Sequence, residues 1–131
     1  MSQFSTPARN AAIDAMETAI GTAPTLRIRT GAAPANCAAA RTGTILAQVE
    51  LAANWLADAV NGSKAGAAIP EFAAIADGTA GHFEIMQGAV CHVQGSVTAT
   101  GAGGIMQLGS TAISTGQLVR INALTLSAGG A

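Results

Sequence analysis

The chain has 131 residues, with six basic and seven acidic side chains and a formal net charge of −1 at pH 7. Half of the chain is in the hydrophobic class, 31 positions are Ala, and there are three Phe, one Trp and no Tyr. That composition argues against a nucleic-acid binder, which needs a basic stripe with stacking aromatics, and no apolar run reaches the ~18–20 residues of a membrane-spanning helix.

The length predicts one domain, residues 1–131. Its core is thinly supplied, because an Ala buries little more than one methyl group, about 0.8 kcal/mol per CH2-sized unit. Ordering the backbone costs about 1–2 kcal/mol per residue. A chain so short of charge and of large side chains is expected to gain stability from neighbours, as the subunit of an assembly does. The opening MSQFSTPARN lacks the basic and apolar regions of a signal peptide, so synthesis in the cytoplasm is expected. Cys37 and Cys91 are then expected as reduced, buried thiols. Two cysteines form no framework pattern, so a disulfide between them stays open.

In chain order, Ser5-Thr6-Pro7 starts a helix over residues 6–20. A hydroxyl can accept from an orphan amide, and Pro suits the first turn. Phe4 is placed to staple the entry. Ala12, Met16, Ala19 and Ile20 recur at helical spacing, with Ile13 and Ala15 nearby, and Gly21 is a stop. Leu26 and Ile28 then alternate with Arg27 and Arg29, the pattern of a half-exposed strand. Residues 31–43 read as a long Ala-rich loop. Ile45, Ala47, Val49 and Leu51 mark a second strand, and Asn61-Gly62-Ser63 a turn. A strand over 69–75 would lie at an edge because of Pro70.

The remainder is β-like. His82 and Glu84 alternate with Phe83 and Ile85, and Gln87-Gly88 turns the chain. Cys91, Val93, Val97 and Ala99 share one parity, and Gly95 suggests a bulge or a close approach. Gly101 to Gly104 form a turn before Ile105, Met106 and Leu108. In the last run Val119 and Ile121 face one way and Leu124 and Leu126 the other, which a bulge near Ala123 would reconcile. The fold class expected is mainly β: an N-terminal helix followed by an antiparallel β-sandwich or jelly-roll-like barrel of about 7–8 strands.

Chemical motifs are sparse. Pairing symmetrically about Gln87-Gly88 brings residue 82 near 93, so His82, Glu84 and His92 could offer N/O metal ligands. Polar side chains on a hairpin face explain them better. Cys91 and His92 are adjacent, so in a regular strand they point to opposite faces and make no nucleophile–base pair. No G-x-S-x-G elbow is present, and Gly101-Ala102-Gly103-Gly104 is followed by neither Lys-Ser/Thr nor a helix. The chain is therefore expected to be no enzyme and to carry no cofactor or metal. Trp55 is either a core anchor or a partner contact. With Phe4, Arg9, Arg27 and Arg29 it completes the set of candidate interface residues.

Thr25 to Ala40 (TLRIRTGAAPANCAAA), GTAGHF at 78–83 continuing to Ile85, HVQGSVTATG at 92–101 and Thr115 to Ser127 (TGQLVRINALTLS) resemble a group of small tailed-bacteriophage virion proteins. The resemblance spans most of the chain, and its motifs are not catalytic. It implies a structural protein of the virion, most similar to a capsid cement or decoration protein, made in the host cytoplasm. The partners implied are the major capsid protein and copies of this chain, without direct contact to nucleic acid or membrane. A tail-tip or fibre-associated receptor-binding protein is the alternative.

Overall fold

The computed structural model describes residues 5–51, 55–60, 62–66, 69 and 71–127. Among these residues one helix, α1 (Thr6–Ile20), precedes ten strands: β1 (Thr25–Thr30), β2 (Ile45–Glu50), β3 (Ser63–Ala65), β4 (Phe72–Ala73), β5 (Gly78–Gln87), β6 (Val90–Ala99), β7 (Met106–Leu108), β8 (Ala112–Ile113), β9 (Leu118–Val119) and β10 (Ile121–Ser127). This is the helix-plus-β architecture expected from the sequence.

The helix begins where the cap residues put it. The Ser5 hydroxyl accepts from the Ala8 amide at 3.3 Å, and Pro7 sits in the first turn. Ile13 and Ile20 are buried and Met16 packs against the core. The inward stripe thus runs 13–16–20, while Ala12 and Ala19 stay exposed. At the far end the orphan carbonyls find side-chain donors, as a helix terminus requires. Gln87 Nε2 donates to the Ile20 and Thr22 oxygens at 3.0 Å, and Trp55 Nε1 to the Gly21 oxygen at 3.3 Å.

Eight strands form one sheet in the order β2-β1-β5-β6-β7-β10-β3, with β8 added to β5; β4 and β9 make a separate two-stranded sheet. One pairing departs from the expected antiparallel sheet, because β6 and β7 run parallel, Val97 beside Met106. Their connection, residues 100–105, is much shorter than a usual crossover. It turns at Gly101 and Gly103, both at positive φ (88° and 90°).

The core lies on one face of the long strands. Leu26 stands opposite Ile85 and Ile28 opposite Phe83, all fully buried. Gly95 stands opposite Phe83, and a methyl group there would meet the ring at 2.8 Å. The close approach expected at Gly95 is therefore real, but the bulge lies elsewhere. Ile85 pairs with Val93 and Met86 with Cys91, leaving His92 as the extra residue. The bulge expected near Ala123 is present between Ile121 and Ala123.

Candidate functional site

The second face of the central strands is polar, and it is also covered. Register places Arg27 beside Glu84 and Arg29 beside His82, with Gln94 and Ser96 following on β6. Period 2 puts all of them on the face away from Leu26, Ile28, Phe83 and Ile85. The loop 31–43 lies across this face as a strap. Glu84 is 0% exposed, His82 1% and Arg29 9%, so the half-exposed strand face expected for these residues is an interior.

Charge and hydrogen bonds fit together under the strap. Arg29 Nε donates to Glu84 Oε1, and Arg29 Nη1 to the Gly43 oxygen at 3.1 Å. Arg41 Nη1 lies 3.6 Å from Glu84 Oε2 and donates to Gln94 Oε1 at 3.0 Å. Arg41 Nη2 donates to the Asn36 and Ala39 oxygens at 2.8 and 3.0 Å. Gln94 Nε2 donates to the Pro34 oxygen at 2.7 Å. His82 Nδ1 is 2.9 Å from the Gly31 oxygen. A carbonyl only accepts, so Nδ1 carries the proton of that bond. Gly81 is what lets strap and strand meet: a Cβ there would stand 2.1 Å from the Gly31 oxygen.

Cys37 on the strap and Cys91 on β6 form a disulfide, with Cα atoms 5.2 Å apart. This corrects the expectation of reduced thiols. It also corrects the expected core position of Cys91, since the bulge at His92 turns residue 91 to the strap side. The same bulge, together with a turn at Gly88-Ala89, undoes the metal-site pairing. His82 stands opposite Ser96 and is buried, whereas His92 is exposed. Among the described residues no group of three or more His, Cys, Asp or Glu is placed to hold a metal ion. Three buried atoms have no hydrogen-bond partner within the described structure: Arg27 Nε, His82 Nε2 and Glu84 Oε2. The last of these has the Arg41 charge beside it.

The expected interface residues are therefore dispersed. Trp55 is 2% exposed and belongs to the core cluster. Arg29 is held inside by Glu84, and Arg27 is half-buried on the strap face. Arg9 is half-buried on α1 against Gly62. Phe4 lies outside the described residues.

Sequence reasoning missed the Arg29–Glu84–Arg41 cluster. Its signal was two facing strands, R-x-R and H-x-E, with opposite charges on one parity. A second ion-pair group joins α1 to β3: Lys64 Nζ lies 2.8 Å from Asp14 Oδ1 and 2.5 Å from Glu17 Oε1. The hydrogen bonds that the Lys64 ammonium donates to Asp14 and Glu17 hold it above its ordinary pKa.

On the surface, a groove of about 370 Å³ is lined by Ser110, Gln117, Arg120 and Asn122 together with Leu118 and Val119. Comparison with protein-family models, with curated proteins and with solved structures finds no match to this chain.

Proposed function

We propose that this chain is a structural protein of a tailed-bacteriophage virion. In this reading it is a cement protein that binds across neighbouring major capsid subunits, together with copies of itself, and stabilises the shell. The observation that supports the reading is where the charges go. Among the described residues, Arg29, Arg41, Glu84, Lys64, Asp14 and Glu17 are engaged in ion pairs within the chain, which has thirteen charged side chains. Val60, Ile75, Val90, Ile105 and Leu118 meanwhile face solvent.

Single exposed apolar residues are ordinary. In a chain with 10% charged residues, however, they leave a surface that a neighbouring subunit covers at little desolvation cost. Permanent interfaces have that character, resembling a core cut in half. The mechanism is physical and needs no reacting group. Each copy adds interface area across joints in the shell, and many copies act together through avidity. The resemblance to small phage virion proteins supplies the setting. One observation favours a second reading, a tail-tip or fibre-associated receptor-binding protein: the groove at Ser110, Gln117, Arg120 and Asn122 has the polar lining that a small receptor group would need.

The test is mass spectrometry and cryo-electron microscopy of the purified virion. Hundreds of copies on the shell are the expected result. A handful at the tail would select the second reading, and absence from the particle would overturn both.

A further inference from the structure

We propose that the strap 31–43 is a redox-dependent clasp, closed by the Cys37–Cys91 disulfide and open, over an otherwise folded domain, when the two thiols are reduced. The proposal concerns the chain alone and stands apart from the virion reading.

The first support is what the strap lacks. Six of its thirteen residues are Ala, and none of the thirteen is buried. No apolar side chain anchors it, so the hydrophobic term that holds the rest of the domain is missing there. Polar contacts and one covalent bond hold it instead. Its base is tied by the main-chain bond from the Thr30 amide to the Thr44 oxygen (3.1 Å), and its ends by Gly31 on His82 and Gly43 on Arg29. Its middle is held by Gln94 on Pro34 and by the disulfide. The bond joins residues 54 apart in sequence, a long loop whose closure restricts the unfolded chain and is released on reduction.

The second support is what the strap covers. His82 Nε2 and Arg27 Nε are buried beneath or beside it without a partner among the described residues. An unsatisfied buried polar atom favours any state that lets water reach it. Three guanidinium groups, Arg27, Arg29 and Arg41, share the region with one carboxylate, Glu84. Opening hydrates these charges, while the apolar face behind β1 and β5 keeps its packing.

The chemistry is thiol–disulfide exchange. One cysteine thiolate attacks a low-molecular-weight disulfide such as oxidised glutathione and releases one thiol. The second cysteine then attacks the mixed disulfide and releases the other. Two protein thiols are oxidised, one external disulfide is reduced to two thiols, and the protons balance. Arg41 Nη1 lies 3.4 Å from Cys91 Sγ, and a neighbouring cation favours the attacking thiolate. A reducing cytosol would keep the clasp open, and an oxidising medium would close it.

The test is amide hydrogen exchange, read by mass spectrometry, on the purified full-length chain before and after reduction with dithiothreitol. Thiol alkylation verifies each state. The expected result is at least tenfold faster exchange across 31–43, including Ala38 and Ala39, with β5 amides unchanged and protection restored by oxidised glutathione. A Cys37→Ser/Cys91→Ser variant should match the reduced pattern with or without reductant. Unchanged strap protection in the alkylated, reduced chain would overturn the proposal. So would loss of protection in β5 together with the strap, because the bond would then be a staple for the whole domain and no clasp.

Discussion

At the scale of single residues, Glu84 carries the most consequence. It is fully buried between two guanidinium groups. Neutralising it leaves the buried Arg29 and the half-buried Arg41 without their counter-charge. Breaking a buried pair from one side costs about 3–5 kcal/mol, whereas replacing both partners by apolar groups costs far less. Glu84→Gln should therefore lower the unfolding free energy in urea by about 3–5 kcal/mol. Adding Arg29→Met to Glu84→Leu should cost less than the two single changes summed. Additive losses would mean that the ion pair contributes nothing beyond its separate side chains. Lys64 makes the complementary case for pH. Its pKa is raised above 10.5 by the hydrogen bonds it donates to Asp14 and Glu17. A group raised in the folded state contributes stability that is complete below the unfolded value and lost as pH rises through the folded one. Stability should thus decline above about pH 10.5, and Lys64→Met should flatten that alkaline limb; an unchanged slope would exclude Lys64 as its cause.

At the scale of elements, β6 shows how one extra residue redirects a strand. The bulge at His92 puts Cys91 on the strap side while Val93 and Val97 stay with the core. Farther along, Phe83 lies over Gly95, so the smallest added side chain collides. Gly95→Ala would bring a Cβ within 2.8 Å of Phe83 Cε1 and 2.9 Å of Ile105 Cδ1. The expected loss is about 1–3 kcal/mol from overpacking, with the disulfide still formed. An unchanged melting temperature would show that the ring moves aside freely.

The elements also show what could be read in the chain and what could not. The helix was legible because Ser5, Pro7 and Gly21 mark its ends chemically. The bulge at 121–123 was legible because the apolar parity changes there. The bulge at His92 was not, because Cys91 reads as apolar on either face and the parity of Cys91, Val93 and Val97 looks unbroken. That bulge and the turn at Gly88-Ala89 moved the partner of His82 from the region of residue 93 to Ser96. The seat of the strap was hidden for a different reason. It depends on Arg41, Gln94 and a disulfide that join distant positions, and no periodic pattern records such contacts. The short parallel connection between β6 and β7 likewise follows from two glycine turns, not from any strand signal.

At the scale of the whole molecule, Arg29, Arg41, Glu84 and Lys64 are engaged in ion pairs within the chain, and among the described residues five large apolar side chains remain outside. Two of these five belong to one region. Leu118 pairs beside Ala73 in the small sheet, and the Ile75 amide two residues on bonds to the Leu46 oxygen. Leu118 is 60% exposed and Ile75 57%, so neither contributes much to the core. A charge at Leu118 should then be nearly silent in the isolated chain, where surface changes usually stay within about ±0.5 kcal/mol. In an assembly the same charge would be buried against a neighbour without a partner, where the cost is large. Leu118→Asp should therefore leave the melting temperature of the purified protein essentially unchanged and weaken its binding to emptied capsid shells at least tenfold, as read by co-sedimentation. Val90→Asp, at the exposed start of β6, provides an independent probe of a second surface. If both variants bind shells as well as the parent chain, neither apolar region is the contact, and the cement reading loses the surfaces on which it depends. If only one fails, that variant identifies the face turned toward the shell.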